Sequence, residues 1–129
     1  MKVTLEATLA PSEDPKKVLE AMRRVVTQTS LPANQNDQVI RLVSEEASCL
    51  RGLRDQLRDR HIRSAAKRLL LTASSGDSTS LMLNRQAAAA GVVALCSSPE
   101  QSPLGPLRLT IDSARIEAVI DWLTAYESG

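Results

Sequence analysis

The fold is decided by residues 79–111, which read TSLMLNRQAAAAGVVALCSSPEQSPLGPLRLTI. Three short apolar segments in this stretch have the pattern of β-strands: residues 79–83, residues 92–96 and residues 107–111. A short Ala-rich helical segment ended by Gly91 separates the first two, and a loop with three prolines separates the last two. Strands joined without a long crossover helix usually pair antiparallel. This stretch therefore predicts an antiparallel sheet.

The N-terminal third adds two strands and a helix. Residues 3–9 alternate apolar and polar side chains, and residues 39–43 are short and rich in β-branched residues, so both segments are predicted strands. Asp14 followed by Pro15 is typical of an N-cap and the first helical position. Apolar residues then recur at helical spacing, which predicts a helix over residues 15–26.

The remaining segments complete a single domain. Residues 27–37 are polar and are predicted to form a loop, and Ser113 is the predicted cap of a closing helix. The chain has no Phe, and Trp122 and Tyr126 are its only aromatic residues, so the core must be aliphatic. We expect residues 1–129 to form one α+β domain, with a mostly antiparallel sheet of about five strands and helices packed mainly on one face.

Residues 46–74 have a helical pattern but cannot form one straight helix. Their apolar residues make two stripes that point more than a quarter-turn apart, at about 100° per residue. One rigid helix could not bury both stripes against the same sheet. A break near residues 59–61 is therefore predicted, with His61 as a partly buried hinge residue. The stripes are Leu50, Leu53 and Leu57, and then Ile62, Ala65, Ala66 and Leu69.

Cysteine spacing and hydropathy bear on metal sites and membranes. Cys49 and Cys96 form no CxxC motif, which argues against a zinc site, and we expect them to act as small apolar fillers and not to pair. The N-terminus has a strand pattern instead of the apolar stretch of a signal peptide, and residues 87–96 are too short to span a bilayer. These patterns predict a cytoplasmic protein without a membrane partner.

No motif predicts catalysis. His61 is the only histidine, Glu45 and Glu46 are neighbours whose side chains point in different directions, and the five glycines form no phosphate-binding loop. We therefore expect no enzyme, no cofactor, no metal site and no small-molecule ligand.

The sharpest feature is a run of basic residues in the broken helix. Residues 51–68 hold seven of the sixteen basic residues of the chain against two acidic ones, a local net charge of +5. The whole chain carries only +1, so bulk attraction to nucleic acid is not expected. We call this set the basic cluster; it consists of Arg51, Arg54, Arg58, Arg60, Arg63, Lys67 and Arg68.

Two interpretations of the basic cluster remain open. A solvated helix face is supported by two pairs of opposite charge at i,i+4 spacing, Arg51–Asp55 and Asp59–Arg63. A binding surface is supported by two like-charge pairs at the same spacing, Arg54–Arg58 and Arg63–Lys67, which cost stability. The basic residues form two helical stripes, which are Arg51, Arg54 and Arg58 and then Arg60, Arg63 and Lys67. Neither stripe overlaps the apolar stripes, so we expect the whole cluster to be exposed.

Several segments resemble an archaeal family, uncharacterised protein family 0201. The similarity rests on LNRQAAAAG at residues 83–91 and SPLGPL at residues 102–107, with weaker similarity in EATLAPSEDPKKV, RHIRSAAKRLL and IEAVIDWL. Arg85 and Ser64 stand where the resemblance leads us to expect Lys and Asp. The resemblance implies a fold similar to the large-subunit ribosomal protein that holds 5S RNA, and a predicted RNA-binding or exosome-associated role.

The leading hypothesis is an RNA-associated accessory protein that docks structured RNA through the basic cluster, with Arg85 as an addition. Since the chain offers few aromatic residues for base stacking, we expect contacts to phosphates and 2′-hydroxyls. The alternative is a protein-interaction or assembly module, in which the basic cluster meets an acidic partner and an open sheet edge pairs two copies in a homodimer. The acidic residues of segment 109–129 could then contact the basic cluster of the second copy.

Overall fold

A computed structural model of the chain describes residues 1–9, 11–26, 34–35, 39–101 and 105–125. Two short 3-10 turns, Ala47–Leu50 and Pro99–Gln101, accompany the strands and α-helices. In chain order these are β1 (Lys2–Thr8), α1 (Pro15–Val25), β2 (Asn34–Gln35), β3 (Val39–Ser44), α2 (Arg51–Asp59), α3 (Arg63–Ala73), β4 (Ser78–Leu83), α4 (Arg85–Ala89), β5 (Leu95–Cys96), β6 (Leu107–Asp112) and α5 (Ile116–Leu123).

The strands form one sheet in the order β2-β3-β1-β6-β4-β5, and every pair is antiparallel. In the middle of the sheet Leu5 lies opposite both Leu42 and Leu109. The predicted α+β class and antiparallel sheet are confirmed. The additional strand β2 falls within the loop predicted at residues 27–37, whose other residues lie outside the described part of the chain.

The two faces of the sheet differ in chemistry because strand residues alternate between them. One face carries aliphatic side chains that are buried beneath the helices, as predicted, and the core contains no buried aromatic residue among the described positions. The opposite face carries mainly polar side chains, such as Lys2, Glu6 and Arg108, that are exposed or half-buried. The buried strand residues are Val3, Leu5, Ala7, Ile40, Leu42, Leu81, Leu83, Leu107, Leu109 and Ile111.

Side-chain caps begin two of the helices. Asp14 Oδ1 accepts a hydrogen bond from the Lys16 backbone N–H at 3.0 Å, and Pro15 opens α1, as predicted. Asn84 caps α4 in the same way. Ser113, in contrast, lies two residues before the N-cap position of α5, where its hydroxyl accepts from the Arg115 N–H. The helix prediction for this segment was correct and its cap was wrong.

The predicted break in the long helical segment is confirmed between α2 and α3. The His61 N–H donates to Arg58 O, and the Ile62 N–H donates to Leu57 O at 3.0 Å. These two bonds are the Schellman pattern, which places a left-handed residue just after the helix. His61 has a φ of 57° and fills that position. Its side chain is exposed and not partly buried as predicted, because the backbone alone makes the turn.

The strand predicted at residues 92–96 is shorter than expected. Only Leu95–Cys96 of the predicted strand at residues 92–96 pairs with β4, because the Val93 N–H donates to Gln56 Oε1 at 2.8 Å instead of to a strand.

Cys49 and Cys96 are both buried and unpaired, as predicted. Burial raises the pKa of both thiols.

Candidate nucleic-acid interface

The basic cluster lies on α2, on α3 and on the turn between them; Arg58 aside, its members fall into two groups of three. In the first group, Arg51, Arg60 and Arg68 are exposed. Their guanidinium groups make no ion pair or hydrogen bond with any residue that the structure describes. Arg guanidinium is planar, permanently charged and able to bind phosphate through two parallel hydrogen bonds. These three residues are therefore the members of the basic cluster best placed to bind an external anion.

Arg58 is half-buried between acidic neighbours. Its guanidinium lies 3.6 Å from Asp55 Oδ1 and 3.2 Å from Asp59 Oδ1. The i,i+4 spacing instead favours the pairs Arg51–Asp55 and Asp59–Arg63. That assignment was wrong because Arg58 reaches both carboxylates from its own position. Arg51, at the start of α2, therefore has no acidic partner in the part of the chain that the structure describes.

The second group of basic residues faces the end of α5. Arg54 Nε donates to Trp122 O at 2.8 Å, and Arg63 Nη1 donates to Ala125 O at 3.1 Å. The last carbonyl groups of a helix have no intrahelical donor, so cationic side chains satisfy them well. Lys67 Nζ adds an ion pair with Asp121 Oδ1 at 3.5 Å. Three members of the basic cluster thus hold α5 in place.

These contacts correct the expectation that the whole cluster is exposed. Arg54 and Arg63 are half-buried because α5 packs over them. The like-charge pair Arg63–Lys67 has a structural explanation, since both residues bind groups of the same helix end. Asp121, which could have met the cluster of a second copy, already pairs with Lys67 within one chain. The homodimer remains a prediction.

Arg85 does not extend the exposed surface. Its side chain is only 5% exposed, and its Nη1 lies 2.6 Å from Glu13 Oε1, on a side chain that is 11% exposed. The φ of Gly105 is 92°, and a Cβ at this glycine would lie 3.9 Å from Arg85 Nη2. The prediction of an RNA contact through Arg85 is therefore not supported by its position. Instead, Arg85 joins the start of α4 to the segment before α1 and lies beside Gly105. Residues 102–104 of the SPLGPL segment are outside the described ranges.

Trp122 is the residue that sequence reasoning missed. It is half-buried at the end of α5, and the Arg54 guanidinium carbon lies 5.3 Å from the centroid of its ring, a cation–π distance. In the sequence, Trp122 is one more position near the apolar face of a helix, and no local signal connects it to residues 51–68. An aromatic ring nevertheless adjoins the basic cluster.

The described residues contain neither a metal-binding group nor a membrane-spanning helix. No group of three or more His, Cys, Asp and Glu residues in these ranges is arranged to hold a metal ion. Among the helices of the same ranges, none has the length and apolar character needed to cross a membrane.

Comparison with known proteins identifies relatives over nearly the whole chain. A family model described as RNA binding matches residues 2–113. UPF0201 proteins from Sulfurisphaera tokodaii and Sulfolobus acidocaldarius are 35% and 34% identical over 125 residues, covering 95% of this chain and 86% of each relative. The crystal structure of the UPF0201 protein from Methanococcus jannaschii has the same fold, with a TM-score of 0.83, 22% identity and coverage of 100% of this chain and 96% of that one. The resemblance indicated by residues 83–91 and 102–107 is confirmed, and the chain belongs to the UPF0201 family.

Proposed function

We propose that this protein binds structured RNA through Arg51, Arg60 and Arg68, as an RNA-associated accessory protein without catalytic activity. The observation that carries the proposal is that these three arginines are exposed and have no partner among the described residues. They lie on α2, on α3 and on the turn between these helices. The description of the matching family model as RNA binding supports the same class of partner.

The chemistry of these residues favours contacts to the RNA backbone. An exposed guanidinium binds phosphate oxygens without reading sequence, and such contacts set affinity and orientation. Double-stranded RNA is recognised largely by its shape, through phosphates and 2′-hydroxyls. Because the net charge of the chain is only +1, attraction must come from this local surface and not from the charge of the whole protein.

The test compares two double variants with the same change in net charge. Arg60→Glu/Arg68→Glu reverses two exposed members of the basic cluster, whereas Lys2→Glu/Arg108→Glu reverses two exposed residues on the polar face of the sheet, opposite the helices. Affinity for a fully paired RNA hairpin is measured by fluorescence anisotropy with labelled RNA. We expect the first variant to lose about tenfold or more in affinity and the control to lose less than about twofold.

Two outcomes would reject the proposal. Equal losses in the two variants would mean that only total charge matters, and the absence of salt-sensitive binding by the unmodified protein would mean that the surface does not bind RNA. Thermal unfolding of each variant, monitored by circular dichroism, shows whether a variant that binds RNA less tightly is still folded. All four positions are exposed, so we expect changes in the free energy of unfolding within about 0.5 kcal/mol.

A further inference from the structure

A pocket of about 330 Å³ opens beside Trp122, on the helix that the basic cluster holds in place. This volume lies at the lower end of the range of roughly 300–1,000 Å³ that small-ligand sites occupy. We call it the Trp122 pocket. Its lining includes Ala118, Val119 and Trp122 of α5, together with Arg115, Met1 and Ala47.

Most polar groups of the residues that line the Trp122 pocket donate hydrogen bonds; the Ser113 hydroxyl, which accepts from the Arg115 N–H, is the exception. Among the described residues, the Trp122 Nε1–H has no acceptor, and the Arg115 guanidinium has neither an ion pair nor a hydrogen bond. None of the described residues that line the pocket carries a carboxylate. The side chains of Met1, Ala47, Ala118 and Val119 are apolar. Such a pocket suits a flat ligand with acceptor atoms on its edge and a negative charge nearby.

Arg54 connects the basic cluster to Trp122, one of the residues that line the pocket. The guanidinium of Arg54 lies over the Trp122 ring while its Nε holds the Trp122 carbonyl group, so one side chain joins the two features. A nucleic-acid strand bound to the cluster would therefore pass close to an aromatic ring. Bases stack on aromatic side chains whatever their identity, because every base has a π-face.

We propose that the Trp122 pocket receives one unpaired base of the bound RNA, stacked on Trp122, with Arg115 bonding to the acceptor edge of the base. Guanine fits best, because its O6 and N7 form the acceptor pair that a guanidinium binds bidentately. This inference rests on the proposed function and extends it: the protein recognises a paired RNA that carries an unpaired base. It adds base stacking to the contacts with phosphates and 2′-hydroxyls that the sequence predicts.

The test uses two RNA hairpins that differ only in a single bulged guanosine. Trp122 is the only tryptophan of the chain, so intrinsic fluorescence reports directly on the pocket. We expect the bulged hairpin to bind about 5- to 100-fold more tightly than the fully paired one, the usual range for one stacked base. It should also quench Trp122 fluorescence, whereas the paired hairpin should leave that fluorescence nearly unchanged.

Three variants separate stacking from folding. Arg115→Gln changes an exposed residue and should remove most of the preference for the bulged hairpin, while affinity for the paired hairpin stays within about twofold. Trp122→Phe should keep part of the preference, and Trp122→Leu should lose it. Affinities for these two variants come from labelled RNA, and circular dichroism checks that each is folded.

The outcomes distinguish this inference from the proposed function. If both hairpins bind with the same affinity and neither quenches Trp122, the pocket does not receive a base, although the basic cluster still binds RNA. If neither hairpin binds, both proposals are wrong. If Arg115→Gln keeps the full preference for the bulged hairpin, the assignment of Arg115 to the base edge is overturned.

Discussion

Replacing Arg54 by Ala should destabilise the protein, although Arg54 belongs to a charged run that looks like a solvated surface. The side chain makes a 2.8 Å hydrogen bond to Trp122 O and lies 5.3 Å from the centroid of the Trp122 ring. A hydrogen bond to a charged donor contributes about 1.5–3 kcal/mol, and a partly exposed cation–π contact about 0.5–1 kcal/mol. The two contributions sum to about 2–4 kcal/mol, and because Arg54 is only half-buried we expect the free energy of unfolding to fall by the lower part of this range, about 2–3 kcal/mol.

The assay is urea unfolding followed by Trp122 fluorescence and by circular dichroism, with thermal unfolding in parallel. For a domain of this size each kcal/mol corresponds to a Tm change of about 4 °C, so Arg54→Ala should lower Tm by about 8–12 °C. Arg60→Ala is the matched control, because Arg60 is exposed and should change the free energy of unfolding by less than about 0.5 kcal/mol. If the two variants unfold alike, Arg54 does not anchor α5.

Three further substitutions or modifications test other contacts. Arg85→Met should cost about 3 kcal/mol in urea unfolding, because the largely buried carboxylate of Glu13 loses its Arg85 partner; a change below about 1 kcal/mol would contradict this. His61→Gly should leave stability unchanged or raise it by up to about 1 kcal/mol, since glycine adopts the positive φ of this turn without strain; a clear loss would show that the imidazole has another role. Iodoacetamide at pH 8 should label Cys49 and Cys96 at least about tenfold more slowly in the folded protein than in urea, because burial raises the pKa of both thiols; equal rates would refute their burial.

The features that sequence predicted correctly depend on short-range pattern. Alternation in β1, the Asp14–Pro15 start of α1 and the break after Asp59 each follow from residues close together in the chain. The break was predictable because its two apolar stripes could not face the same sheet. Its left-handed residue, His61, carries no local signal, since Gly is the usual residue at that position.

The features that sequence could not provide depend on contacts between distant segments. Arg54 bonds to a carbonyl group 68 residues later, and Arg85 pairs with Glu13 across 72 residues. Charge counting treats all members of the basic cluster alike, whereas the packing of α5 separates those that stabilise the fold from those that face solvent. Trp122 acquires its place beside Arg54 from the same packing, so neither partner could be identified from spacing.

The salt dependence of binding to a fully paired RNA hairpin tests most directly whether the exposed arginines bind RNA. Each phosphate contact contributes about −0.9 to the slope of log K against log salt concentration. Contacts from Arg51, Arg60 and Arg68 therefore predict a slope of about −2.7 or steeper for the unmodified protein between about 50 and 200 mM salt. Replacing all three by Gln should bring the slope close to zero. A slope shallower than about −1 for the unmodified protein, or an unchanged slope for the triple variant, would contradict RNA binding by this surface.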